Sequence, residues 1–184
     1  NGADSFPLLA VPFFMLAGEI MNVGGLSKRI VALALSLIGH VRGGLGFVTI
    51  LAACLMAALS GSAVADTAAL AAVLIPLMRK AGYRVSRSAG LIAAGGIIAP
   101  IIPPSIGFVV FGVAAQVSIT KLFLAGIVPG LLMGAALWVT WWLCARRDAP
   151  AVVGRRFDGR QLFAALGRGA WALALPVVII GGMK

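Results

Sequence analysis

The sequence predicts an all-α integral membrane fold. Three observations carry that expectation: 61% of the 184 residues are hydrophobic, only 11% are charged, and the charges fall between long apolar runs. A soluble domain holds about 45–50% apolar and about 25% charged residues, so an ordinary soluble fold is excluded. Disorder is excluded too, because it needs low hydrophobicity. The net charge is +10, from 15 Lys+Arg against 5 Asp+Glu. On a soluble chain that balance would suggest nucleic acid. Here the basic residues separate apolar runs and read as cytoplasmic loops, so no nucleic-acid partner is expected.

Each segment follows from where charges and prolines fall. Residues 1–25 hold an outer N-terminal end and a transmembrane helix, apolar over 6–21 except for Glu19. Glu19 reads as an interfacial anchor or a salt-bridge partner of Lys28 or Arg29. Residues 26–42 are amphipathic: at about 100° per residue, Lys28, Arg29, Ser36 and His40 fall within an arc of about 120°. The segment predicts an interfacial arm helix, or else the frayed end of a spanning helix. His40 stands alone and predicts no metal site.

Residues 43–80 carry a single charge before Met78, Asp66, and are interrupted at Ser60-Gly61-Ser62. That triplet is turn chemistry, and Ser62 suits the N-cap of a second arm. Two short arms meeting at a polar tip predict a re-entrant hairpin; two thin but complete spans are the alternative. Residues 81–121 are charge-free from 88 to 120. One straight helix of that length would run about 50 Å, against a hydrocarbon core of about 30 Å. Pro100, Pro103 and Pro104 lie near its middle. Proline removes a backbone donor and pushes the residue before it out of helical geometry. A broken transmembrane helix follows, with halves near 87–99 and 105–120.

Residues 122–145 predict a simple transmembrane helix, with Trp138, Trp141 and Trp142 as an interfacial belt before Arg146 and Arg147. Residues 146–168 form a basic cytoplasmic loop, whose arginines reach towards lipid headgroups, and 169–184 start a further, truncated helix. Lys121 then marks the opposite side of the membrane. Asn1 opens without Met or signal peptide, so an internal piece of a longer chain is expected.

Irregular backbone at membrane depth persists only where it is buried in protein or lines a wet cavity. Broken helices present carbonyls at one end and amides at the other, each end carrying roughly half an elementary charge. Carbonyl ends suit Na⁺ or H⁺, and amide ends suit substrate carboxylates. Both ends occur twice, around Ser60 and Ser62, and between Gly95 and Ser105. Ser60, Ser62, Thr67 and Ser105 add hydroxyl oxygens. The pairing points to a secondary transporter. Asp66, the only acid in either arm, reads as an ion or substrate residue or as a local cap. No G-x-x-x-x-G-K-[ST], H-E-x-x-H or Cys/His zinc spacing occurs, so neither an enzyme, a cofactor nor a transition-metal site is expected. Cys54 and Cys144 read as small buried hydrophobes.

The string Ser60-Gly61-Ser62-Ala63-Val64-Ala65-Asp66-Thr67-Ala68 resembles a known family. It does so together with Leu8-Leu9-Ala10-Val11-Pro12-Phe13-Phe14-Met15-Leu16-Ala17-Gly18, Ile75-Pro76-Leu77-Met78, Ala81-Gly82-Tyr83, Pro100-Ile101-Ile102-Pro103-Pro104-Ser105 and Lys121-Leu122-Phe123-Leu124-Ala125-Gly126-Ile127-Val128-Pro129-Gly130. The family is the large membrane subunit of tripartite ATP-independent periplasmic (TRAP) transporters, of the DctM type. The likeness covers roughly residues 6–134.

The resemblance implies half of an elevator-type transporter of the ion transporter superfamily, with one re-entrant hairpin and one broken helix per inverted repeat. It implies a bacterial inner-membrane, multi-pass protein that couples Na⁺ to organic-acid uptake, typically of C4-dicarboxylates or sialic acid. A periplasmic substrate-binding protein and a small four-helix membrane subunit are the implied partners. By motif, Ser60, Gly61, Ser62, Ile102, Pro103 and Ser105 would serve a Na⁺ site, with carbonyls from Gly95 and Gly96. Ser62, Pro104 and Ser105 would face substrate. Asp66 and Thr67 receive no defined role. A complete subunit would supply a second hairpin and a second broken helix, so half a site is expected here. An elevator carrier working without a binding protein, or a non-transporting membrane scaffold, are the other readings.

Overall fold

A computed structural model describes residues 23–148 and the isolated positions 12, 13, 16, 18, 20 and 167. Glu19, the stretch 149–166 and the apolar run after residue 167 lie outside the described residues. Six helices have full bounds: α1 Leu26–Ile38, α2 Gly44–Ser60, α3 Ala63–Lys80, α4 Val85–Gly96, α5 Ile106–Ala114 and α6 Ile119–Asp148. The described positions between 12 and 20 are helical as well, and no described residue lies in a strand.

The amphipathic pattern of α1 is realised by packing. Ile30, Val31, Leu33 and Ala34 are buried, chiefly against α2, while Lys28 and Arg29 stay exposed. The helix stops at its C-cap Gly39, a weak helix former. His40, grouped with the polar arc in the sequence, therefore sits in the following turn rather than on the helix.

Helix α2 is the centre of the fold and packs on α1, α3, α4 and α6. Its Val48, Ala52, Ala53 and Met56 share a core with Leu70 and Leu74 of α3 and Ile92 of α4. The 17 residues of α2 and 18 of α3 span roughly 26 and 27 Å at ~1.5 Å per residue, short of a ~30 Å hydrocarbon core.

The expected half-helices 87–99 and 105–120 take the bounds of α4 and α5. The second ends at Ala114 because the chain turns there: Gln116 adopts φ 56, and the Val117 N–H reaches back to the Gly112 carbonyl at 2.9 Å. This is the six-to-one closure common at helix C-termini.

Among the described residues, the one helix long and apolar enough to cross a membrane is Ile119–Arg147. Glycines spaced four apart let its backbone lie close to its neighbours. A Cβ on Gly126 would stand 2.5 Å from the Ile101 carbonyl oxygen, and one on Gly134 3.1 Å from Cys54 Sγ. The helix extends three residues past each end of the apolar run 122–145. Arg146 stacks 3.6 Å from the centroid of the Trp142 ring one turn earlier, which supports the last turn. The tryptophan belt needs one correction. Trp138 and Trp142 are partly exposed, but Trp141 is 4% exposed and donates its indole N–H to the Gly43 carbonyl at 2.9 Å. Trp141 is turned ~100° from Trp142 about the helix axis, and it fills the space left by Gly46.

Candidate functional site

Helix α2 ends in a left-handed turn. Gly61 sits at φ 60 and its N–H bonds the Ala57 carbonyl at 3.3 Å. Glycine enters this region without a Cβ clash. Ser62 is extended and caps α3, its Oγ accepting the Ala65 N–H at 3.4 Å. Ser60 links the two arms: its Oγ accepts the Ser62 N–H at 3.1 Å and donates to Asp66 Oδ1 at 2.5 Å. Asp66 is 2% exposed, in the first turn of α3. The helix dipole favours a carboxylate there. Its second oxygen, Oδ2, is buried without a hydrogen-bond partner among the described residues. A buried charged oxygen is costly when unpaired, so this atom is suited to take a cation or a proton.

The proline break solves its backbone problem differently. After α4, the N–H groups of Ile98 and Ala99 bond the Gly95 and Gly96 carbonyls at 3.1 and 3.2 Å. Ile101 and Ile102 both reach the Ile98 carbonyl. The Pro103–Pro104 peptide is cis. Ser105, 1% exposed, donates to the Pro100 carbonyl at 2.6 Å and accepts the Phe108 N–H at 3.4 Å, capping α5.

The two breaks meet. A Cβ on Gly61 would stand 2.7 Å from the Pro104 carbonyl oxygen and 3.1 Å from Ser105 Cα. Only glycine permits that approach. Ser60, Gly61, Ser62, Asp66, Pro104 and Ser105 thus gather at one junction. Thr67 and Gly96 do not join it through their polar atoms; the Thr67 side chain fills the space beside Gly96 and packs α3 on α4. A Cβ on Gly95 would lie 3.0 Å from the Ala53 Cβ. Ile102 lies against Gly130 of α6, and Pro103 is buried within the break. Sequence reasoning missed two participants. A Cβ on Gly18 would lie 3.7 Å from the Ser60 Cβ, so the first helix reaches the tip. Gly18 closes the motif Leu8–Gly18, but nothing in that motif points to Ser60. The glycines of α6 that admit Ile101 and Ile102 are the other, and the signal that could have found them is their four-residue spacing, Gly126, Gly130 and Gly134.

The profile of the family described as "Tripartite ATP-independent periplasmic transporter, DctM component" matches residues 1–184. The chain belongs to the DctM family of TRAP transporters. It is 62% identical over 185 residues to the 2,3-diketo-L-gulonate TRAP transporter large permease protein of Escherichia coli (strain K12), covering 100% of this chain and 43% of that protein. A sialic acid TRAP transporter large permease protein of Vibrio cholerae is 44% identical, over 100% of this chain and 43% of its own length. A C4-dicarboxylate TRAP transporter large permease protein of Pseudomonas aeruginosa is 41% identical, over 98% of this chain and 42% of its own length. The chain therefore spans about two fifths of these curated relatives. The family is one of membrane transporter components, not of enzymes.

Proposed function

We propose that this chain supplies the first-repeat half of the large permease subunit of a secondary active, Na⁺-coupled TRAP transporter that imports organic acids. The observation that carries the reading is the contact of Gly61 with Pro104 and Ser105, which joins two helix breaks at one polar junction. A scaffold has no need of such backbone at membrane depth. Asp66 Oδ2, together with oxygens around Ser60, Gly61, Ser62, Gly95, Ile102, Pro103 and Ser105, serves Na⁺. The N-termini of α3 and α5, capped by Ser62 and Ser105 and flanked by Pro104, face the substrate carboxylate. Thr67 acts through packing. The names of the relatives specify 2,3-diketo-L-gulonate, sialic acid and C4-dicarboxylate. All three are carboxylic acids, which supports a carboxylate as the cargo here.

In this reading the hairpin α2–α3 is re-entrant and moves with α4 and α5 as one elevator body. A core common to α2, α3 and α4 supports that unit, and α5 is tied to it where Gly61 meets Ser105, its N-cap. The protein sits in the bacterial inner membrane as a multi-pass subunit. A periplasmic binding protein delivers the substrate and a small four-helix membrane subunit completes the complex. The test is uptake into proteoliposomes holding the full-length permease, its small subunit and the binding protein. Uptake is expected to require both an inward Na⁺ gradient and the binding protein. Uptake that persists with K⁺ replacing Na⁺, and that ignores a proton uncoupler, would overturn the coupling. Uptake at full rate without the binding protein would overturn the tripartite mechanism.

A further inference from the structure

Helix α6 holds both partners of the junction, and it does so from its two ends. At one end the buried Trp141 donates its indole N–H to the Gly43 carbonyl at 2.9 Å. Gly43 is the N-cap of α2, left-handed at φ 75, and brings no side-chain cap. A Cβ on Gly46, in the first turn of α2, would fall inside the Trp141 ring. The ring is thus keyed into α2 at one level: the hydrogen bond fixes its height, and the missing side chain admits it. Phe47, Ile50, Met78 and Leu91 close around it, and Tyr83 stacks beside it with ring centroids 6.1 Å apart.

At its other end α6 holds the proline break. A Cβ on Gly126 would stand 2.5 Å from the Ile101 carbonyl oxygen, and one on Gly130 2.5 Å from Ile102 Cγ1. Between the ends, Cys54 of α2 lies against Gly134, and Ala57 and Ile98 pack with Met133 and Leu137. Helices α2 and α6 therefore run antiparallel in continuous contact. The stretch Gly46–Gly61 on α2 and the stretch Gly126–Trp141 on α6 are equally long, about 22 Å at ~1.5 Å per residue. So α6 carries the break at the level where α2 presents Gly61. That meeting has no slack, because a Cβ on Gly61 would already stand 2.7 Å from the Pro104 carbonyl oxygen. A slide of α2 along α6 by an ångström would open or jam it. We infer that Trp141 is a positioning residue for the junction: it sets the register of α2 against α6 and so holds Gly61 and Ser62 at the break from about 22 Å away. The effect on Na⁺ rests on the proposed role of the junction; the register itself does not.

Trp141→Phe keeps an aromatic ring and loses the indole donor. In full-length permease in detergent, Na⁺ binding is read from thermal stabilisation, with K⁺ holding the ionic strength constant. The half-saturating Na⁺ concentration is expected to rise by about tenfold to a hundredfold, the scale of an ångström misplacement at a preorganised site. Hydrogen exchange should quicken over residues 60–66 and 98–105, far from the substitution. A cross-link supplies the rescue. Cys54 Sγ lies 3.1 Å from where a Cβ at position 134 would stand, within reach of a disulfide. Gly134→Cys, oxidised onto Cys54 with copper phenanthroline and verified by mass spectrometry, ties α2 to α6 at their middle. It should return Trp141→Phe to near wild-type Na⁺ affinity and exchange, and reduction should undo the return. Unchanged Na⁺ affinity with unchanged exchange at the tip, faster exchange confined to 43–47 and 138–145, a pair that does not cross-link, or a formed cross-link without rescue would overturn the inference. Wild-type permease that K⁺ stabilises as well as Na⁺ does would overturn the Na⁺ reading instead, and the exchange and rescue measurements would still decide the register.

Discussion

The two helix breaks make the same cap and leave different things behind. Ser62 and Ser105 each accept a backbone N–H three residues on, both at 3.4 Å. At the proline break, however, the serine hydroxyl is also spent as a donor to the Pro100 carbonyl at 2.6 Å, and turn bonds take up the Gly95 and Gly96 carbonyls. The tip consists of only Gly61 and Ser62 between its helices. It uses a carboxylate, and Asp66 satisfies Ser60 with one oxygen while the other is buried without a partner among the described residues. One break is closed on itself, and the other retains an acceptor. Structural stability should therefore depend more on the first, and ion dependence more on the second.

The comparison breaks most directly at the point of contact. Gly61→Val places a β-branched side chain in the left-handed region and against the Pro104 carbonyl. The strain is about 1–2 kcal/mol and the overpacking about 1–3 kcal/mol. Thermal unfolding of the full-length permease should fall accordingly and uptake should vanish; an unchanged melting temperature would mean that the breaks do not meet. Asp66→Ala is expected to lower Na⁺-driven uptake by about tenfold or more, since a paired buried charge carries at least that much. Asp66→Asn can still bond Ser60, so it should fold while losing the Na⁺ dependence. Full Na⁺-dependent uptake by Asp66→Asn would remove the carboxylate from the coupling site.

The serines test the asymmetry. Ser105→Ala loses the cap of α5 and a buried bond to Pro100, a cost of about 2 kcal/mol. Ser62→Ala loses only the cap of α3, about 1 kcal/mol. Chemical denaturation of both variants in the same detergent should rank them in that order. Equal losses would mean that the Ser105–Pro100 bond adds nothing.

Much of the candidate site was legible because it is written in local chemistry. A serine before an apolar run announces a cap, so Ser62 and Ser105 were readable. Prolines announce broken helix, so the interval between Gly96 and Ser105 was readable too, to within a few residues. Trp141 was not. Its neighbours look alike in sequence, and only the direction in which α6 faces Gly46 turns this one ring inward. The packing of Thr67 on Gly96 was hidden for a related reason: a hydroxyl in sequence says nothing of the glycine beside which it will lie.

What the sequence determined alone is the all-helical character, the positions of the two breaks and the family. Each rests on hydrophobicity, on the missing donor of proline and on ordered motifs, which act within a few residues. What only the tertiary structure decided is that Gly61 touches Pro104, that one oxygen of Asp66 is buried without a partner among the described residues and that Arg84 and Arg87 share a cavity with Trp141. Those facts depend on how close elements far apart in the chain can come, and glycines such as Gly61 and Gly46 set that distance by leaving room for a neighbour's backbone or ring.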